Sequence, residues 1–371
     1  MTPRAVFLPV LASGLLAAAA GLAPGSAGAA EPVRLAPHRA AYDVGLDQAS
    51  EQLLGVDGKI AVALNETGDC AGYGIDYRFV ARFIKDQEIV VTDQQVRLSE
   101  SRDARSFGFD AESFIDSQPD TTTKGTATIS EDATVVAYDE PEAREVTLPR
   151  STFPVQHTRE IIAAAKAGVP IIESPVFQGD ADAEKHTTST VIVMPLGKDA
   201  LAQEIAGYGA RPGQAADEAL PTGSDGPESD GSEAVTPEAG EREADAPASD
   251  APDGDAAAAA PQDRAGGRAD DGSEGKRADD AKIAESQDPA ASAPEAIAAR
   301  LAGLAAWRIS ESFYNSDSNE NGLPVFETIY TLFENGVTGN QILKFDGYAL
   351  KTRLVSLDMQ AAAACPAPEA D

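Results

Sequence analysis

From Arg39 to Pro149 the chain alternates apolar and polar residues in one short run after another. Each run is closed by a few residues rich in Gly, Asp, Asn or Pro. A side-chain period of two is the pattern of a strand with one buried face, and a helix cannot keep it on one side. The runs are 39–47 (RAAYDVGLD), 58–64, 73–84 (YGIDYRFVARFI), 88–100, 106–115, 123–130, 134–140 and 144–149. In the third, Tyr77, Phe79, Ala81 and Phe83 share one face, and Arg78, Val80 and Arg82 the other. Such spacing predicts an antiparallel meander.

One helix interrupts it. Residues 153–168 (FPVQHTREIIAAAKAG) carry Pro154 near the start, an apolar stripe of Val155, Ile161, Ile162 and Ala165, Lys166 in the last turn, and Gly168 as a stop. Strand patterns return in VPIIESPVFQG and HTTSTVIVMPL, and again from Trp307 to Gln360. Asn335-Gly336 between two of the later runs predicts a hairpin with a type I′ turn, and Asp346-Gly347 a second one. About a dozen strands and one main helix predict a mainly β fold: a long curled antiparallel sheet, or incomplete barrel, wrapped on one helix.

Between the two β-rich parts the chain changes character. From 209 to 296 the only residues among Leu, Ile, Val, Phe and Met are Leu220, Val235 and Ile283, and no aromatic occurs from 209 to 306. Residues 207–296 hold 22 acidic and 7 basic side chains. Such a stretch buries too little apolar surface to offset its ordering entropy. We therefore expect residues 31–208 and 305–371 to form a single domain, with 209–304 a disordered acidic insertion; a short helix over 294–306 is expected before the fold resumes. The net charge of −32 disfavours nucleic acid and anionic membrane surfaces as partners.

Residues 1–30 read as a signal peptide. Arg4 is a short positive region, residues 5–22 are apolar, and Ala27-Gly28-Ala29 is a small-residue cleavage motif, which predicts cleavage near Ala29 or Ala30. The mature chain is expected outside the cytoplasm, in the periplasm of a Gram-negative cell, and without stable membrane insertion. In that oxidising compartment the only two cysteines, Cys70 and Cys365, allow one disulfide; two buried free thiols are the alternative.

The three histidines, His38, His157 and His186, form no H-E-x-x-H and no i, i+4 pair. No nucleophile elbow or phosphate-binding loop occurs. Asp180, Asp182 and Glu184 alternate as in Ca²⁺ loops, and Asp317, Asn319, Asn321 and Gly322 match that pattern better, but both depart from it and read as ordinary turns. No catalytic, cofactor-binding or metal residue is therefore expected. Tyr77, Phe79, Phe83, Phe107, Phe109, Trp307, Phe313, Tyr330 and Phe333 are expected mainly in the core, or in a groove for acyl chains if the sheet fails to close.

The segments LAPHRAAYDVGL, GDCAGYGIDYRF, FPVQHTREIIAAAKAG, FETIYTLFENGV and LKFDGYALKTRLVSLD, followed by Cys365, resemble the cell envelope integrity protein B family. The resemblance covers about 34–208 and 305–365. It implies a periplasmic β-spiral with one disulfide at the positions of Cys70 and Cys365. The implied role is non-enzymatic maintenance of envelope integrity under stress, through protein–protein interaction, with a periplasmic tetratricopeptide-repeat protein as the partner. The alternative is a carrier or sensor that binds lipid or lipoprotein acyl chains in a groove of the curled sheet. The acidic insertion departs from the family pattern.

Overall fold

A computed structural model describes residues 33–50, 53–67, 70–209, 289–319 and 322–362. The expected signal peptide, nearly all of the acidic stretch, and Cys365 lie outside the described residues, and so does the Cys70–Cys365 pairing.

Eight strands run in succession: β1 (His38–Gln48), β2 (Leu53–Glu66), β3 (Gly72–Lys85), β4 (Ile89–Ser101), β5 (Ser106–Ile115), β6 (Gln118–Ile129), β7 (Ala133–Glu140) and β8 (Arg144–Pro149). The helix α1 (Pro154–Ala167) follows, then β9 (Ile171–Val176), β10 (Thr187–Pro195) and a second helix, α2 (Lys198–Ala206). After the acidic stretch come α3 (Pro289–Ser292), α4 (Pro294–Leu301), β11 (Ala306–Tyr314), β12 (Phe326–Phe333), β13 (Thr338–Phe345) and β14 (Tyr348–Met359). All fourteen described strands join one antiparallel sheet in the order β8-β7-β6-β5-β4-β3-β2-β1-β14-β13-β12-β11-β10-β9. The first and last parts of the chain meet where β1 pairs with β14, for example Tyr42 opposite Leu354 and Asp43 opposite Arg353. The expected mainly β, curled sheet wrapped on a helix is therefore the observed fold.

Strands β8 and β9 do not pair with each other, so the near-barrel keeps one unsealed seam. The chain laces it by other means. Thr152 bridges Val176, with Thr152 N–H donating to Pro175 O and Phe177 N–H to Thr152 O. Arg144 lies over the Tyr138 ring and reaches Glu184 and the carbonyl of Ala181.

The inner face of the sheet packs on α1. Val155, Ile161, Ile162 and Ala165 bury against Leu35, Leu64, Tyr73, Val191, Val193, Trp307, Ile309 and Leu332. Helix propensity alone would not hold this element, because Phe153 at its N-cap offers no side-chain cap. The missing acceptor comes from β4. Glu100, itself buried, accepts from Val155 N–H (2.8 Å) and Gln156 N–H (2.9 Å). At the other end Gly168 takes the left-handed conformation (φ 72°) and closes the last turn.

A second cluster joins Tyr42, Ile60, Leu350 and Leu354 to Tyr208, Ile297 and Leu301. Here β13 and β14 diverge: their ladder ends at Gln341 opposite Thr352. Gly209 N–H donates to Leu354 O, and the Asn340 side chain accepts from Leu354 N–H, so the chain after α2 fills the wedge. Ile297 and Leu301 of α4 are fully buried there. The described residues resume at 289, and α3 and α4 lie within the span 209–304. The short apolar spacing of Ile297 and Leu301 suffices to anchor one helical face. The two ends of the undescribed stretch are neighbours: a Cβ placed on Gly209 would lie 3.0 Å from both Ser292 O and Pro294 Cγ.

The β12–β13 connection differs in detail from expectation. Gly336 is left-handed (φ 88°) but Asn335 is not, and the loop is closed by Phe333 N–H donating to Val337 O. This is a three-residue loop and not the two-residue type I′ turn. The Asn335 side chain accepts from Val337 N–H, which holds it in the ordinary region.

Candidate functional site

Cys70 sits two residues before β3, in a tight turn where Cys70 N–H donates to Thr67 O at 2.8 Å. Its φ of 61° is left-handed, and Arg102 Nε donates to its carbonyl at 2.9 Å. Its side chain is half-buried.

The histidines occupy three unrelated environments. His38 is buried in β1, with Nδ1 2.8 Å from Ala36 O, and burial lowers its pKa. His186 takes a left-handed turn before β10. His157, on the inner face of α1, has gathered what sequence spacing could not show. Its Nε2 lies 2.8 Å from Glu311 Oε1 of β11. Ser189 Oγ of β10 donates to the same oxygen at 2.6 Å, and Tyr330 OH of β12 to Oε2 at 3.0 Å. Burial and the Glu311 carboxylate push the Tyr330 hydroxyl pKa well up. These residues are 154, 122 and 19 positions from Glu311, so no local motif could reveal the cluster.

A Ser, a His and a Glu together invite a hydrolase reading. The geometry opposes it: Ser189 donates to Glu311 and not to the imidazole, whose Nδ1 has no hydrogen-bond partner. Ser189, Glu311 and His157 are 0%, 4% and 5% exposed, which leaves no room for a substrate beside them. The cluster ties α1 to β10, β11 and β12. Together with Glu100 it fixes the helix against the inner wall.

Among the described residues, no three His, Cys, Asp or Glu side chains come together as a metal-binding group. In the first acidic loop Glu184 pairs with Arg144, and Asp182 lies 3.8 Å from Lys185 Nζ. Tyr138 OH donates to Asp180 O, and burial raises the Asp180 pKa. The loop spends its polar groups on closing the seam. Residues 320 and 321 of the second acidic loop lie outside the described residues.

The aromatics divide between packing and exposure. Phe107, Phe109, Trp307 and Phe333 are buried, the first two in a ring cluster with Phe153 and Phe177. Tyr77, Phe79, Phe83 and Tyr330 are half-buried against the core. Phe313 instead joins Phe326, Phe345 and Tyr348 in a ladder across β11–β14, with ring centroids 5.8, 5.2 and 4.9 Å apart. All four are half-buried and, by strand register, face inward.

A cavity lies on the opposite, outer face. A cleft of about 700 Å³ opens between α2 and the outer side of β1, β14, β13, β12 and β11. Ile329 and Ile342, paired across β12 and β13, form its floor. Three ion pairs line it: Arg308–Glu204 (2.6 Å), Arg353–Asp43 (3.2 Å) and Lys351–Asp47 (3.8 Å). Gln203 and Asn340 add amides. Sequence reasoning missed this site because α2 was not anticipated. None of its residues is buried, and its Ala-rich run follows a strand directly.

No helix among the described residues is long and apolar enough to cross a membrane. A family model described as EipB-like matches residues 29–211 and 271–361, more than half of the chain, and passes over 212–270. The cell envelope integrity protein EipB of Brucella abortus (strain 2308) is 35% identical over 172 residues, which are 46% of this chain and 61% of that protein. The chain thus spans about three fifths of the length of that curated relative. A crystal structure of a beta-barrel-like protein of a domain of unknown function, also from Brucella abortus, matches with a TM-score of 0.58 at 20% identity. The match covers 89% of this chain and 100% of that one. At that identity the likeness is one of fold.

Proposed function

This chain belongs to the EipB-like family, whose curated relative is a cell envelope integrity protein, and on that premise we propose that it acts without catalysis, by holding another envelope protein in the cleft beneath α2. The observation that carries this reading is the cleft itself: about 700 Å³, with an apolar floor and paired charges along its walls. That size and mixture suit a short extended segment of a partner. The location that goes with this role is the periplasm, after removal of a signal peptide, and a periplasmic tetratricopeptide-repeat protein is the partner that the family resemblance suggests. A Cys70–Cys365 bond would tie the turn before β3 to the tail after β14.

Photo-crosslinking from position Gln203 in living cells, with the captured protein identified, tests the proposal. A defined envelope protein captured from Gln203 and not from the exposed Leu54 supports it. A strain lacking the chain that tolerates detergent and cell-wall antibiotics like its parent would count against any envelope role.

The Phe313–Phe326–Phe345–Tyr348 ladder favours a second reading, an acyl chain held on the inner wall. Native mass spectrometry of protein taken directly from cells distinguishes the two, since a carrier retains acyl mass.

A further inference from the structure

The two guanidiniums of the outer cleft are underused. Arg308 spends one N–H on Glu204 and Arg353 one on Asp43, while Arg353 Nε is buried with no partner. A guanidinium carries five donors. The facing carboxylates are well supplied by comparison. Asp43 accepts from both Lys59 and Arg353, and Glu204 from both Arg308 and the Tyr208 hydroxyl. All four oxygens of those two carboxylates are thus already engaged, whereas each guanidinium still has terminal N–H groups outside its ion pair, and the complement of such a donor is an acceptor.

The remaining features narrow that acceptor. Planar guanidiniums match a carboxylate in paired fashion. With the whole chain at −32 and acidic groups beside each cation, a polyanion is repelled where a single carboxylate is tolerated. The floor of Ile329 and Ile342 takes an aliphatic side chain, and the amides of Gln203 and Asn340 suit the peptide groups behind it.

We infer that the cleft beneath α2 captures the free C-terminal carboxylate of an extended peptide, with Arg308 and Arg353 as its anchors. This rests on the reading of the cleft as the partner site and names the chemistry recognised there.

The test uses the full mature chain and N-acetyl-Ala-Ala-Leu, followed by calorimetry and by NMR shifts of the cleft residues. The free acid is expected to bind, and its C-terminal amide at least tenfold more weakly. Arg353→Gln and Arg308→Gln should each lose tenfold or more. Gly45→Leu is a filling variant that leaves every charge in place. A Cβ there meets only Val56 O at 3.9 Å, so the side chain can project into the cleft without backbone strain, and binding should vanish with the melting temperature kept. Equal binding of acid and amide would overturn the inference, as would no binding of either. Laurate or inorganic phosphate binding as well as the peptide acid would overturn it too. If Gly45→Leu abolishes Gln203 crosslinking in cells while no peptide acid binds, the partner reading stands and the carboxylate inference falls.

Discussion

Replacing Glu100 by Gln should flatten the pH dependence of stability while costing one of the two capping hydrogen bonds, because the Gln NH2 cannot accept from a backbone N–H. Glu100 is 4% exposed and caps α1 through two backbone amides. Burial outweighs those hydrogen bonds and raises its pKa from 4.5 to about 7. A carboxyl whose folded pKa is raised binds its proton more tightly when folded. Its contribution is fully present below the unfolded value near 4.5 and is lost as pH rises through about 7. The difference between the two values corresponds to about 3 kcal/mol at roughly 1.4 kcal/mol per unit. Gln cannot ionise, so the variant should gain about 3 kcal/mol on wild type between pH 4.5 and 8. For an ordered core of this size that is roughly 6–12 °C in melting temperature. Paired thermal melts across that range measure it, and the difference between variant and wild type cancels the other titrating groups. A difference that stays constant with pH would refute the reasoning, because it would mean that Glu100 is not a buried, reluctantly charged group. Glu100→Ala serves as the contrast: it leaves the Val155 and Gln156 amides unpaired and should destabilise at every pH by about 1–3 kcal/mol per amide.

Three other outcomes are expected. Cys70→Ser, Cys365→Ser and the double variant should lower thermal stability by similar amounts if the two cysteines share one bond, by about 2–5 kcal/mol; a double variant markedly worse than either single one, or two titratable thiols in folded protein, would contradict the pairing. Joining residue 209 to 289 through a short Gly-Ser linker should leave cooperative melting intact, since Gly209 already touches Ser292 and Pro294, and circular dichroism melts read this directly. Ile162→Ala, at a fully buried position of α1, should cost about 2–5 kcal/mol in denaturant unfolding, whereas Ile192→Ala on the exposed face of β10 should cost less than about 1.

Much of the wall was legible, because a two-residue period survives from strand to strand. Tyr77, Phe79 and Phe83 do point to the packed side, and the stop at Gly168 is where α1 ends. What escaped the sequence was whatever depends on distant pairing. Glu100 looks like an ordinary polar end of a strand until Tyr73 opposite it turns inward and brings it to the start of α1, 55 residues on. Glu311 likewise alternates as an inward position but would be read as a surface charge, since a buried carboxylate is rare unless its partners are known. Asn335-Gly336 was rightly a turn, yet its type was set by the side-chain hydrogen bond to Val337 N–H. Helix α2 offered no buried stripe, and with it the outer cleft went unseen.

The place of the acidic stretch also follows from the sheet. A closed ladder has no room for an insertion except at a turn, but β13 and β14 separate beyond Gln341–Thr352 and leave a wedge in the wall. The segment from Tyr208 to Gly209 and the helix α4 fill it with Tyr208, Ile297 and Leu301, all fully buried, so both chain ends are anchored before the acidic residues begin and after they finish. Gly339 makes this plug possible: a Cβ there would fall 2.2 Å from the Tyr208 hydroxyl. The same plug sets the cleft, because Tyr208 OH donates to Glu204, and Glu204 in turn holds Arg308. Gly339→Ala should therefore disturb both at once, loosening α2 from the wall and misplacing Arg308. Measured together, a fall in melting temperature with intact peptide binding would separate the plug from the cleft and break this link.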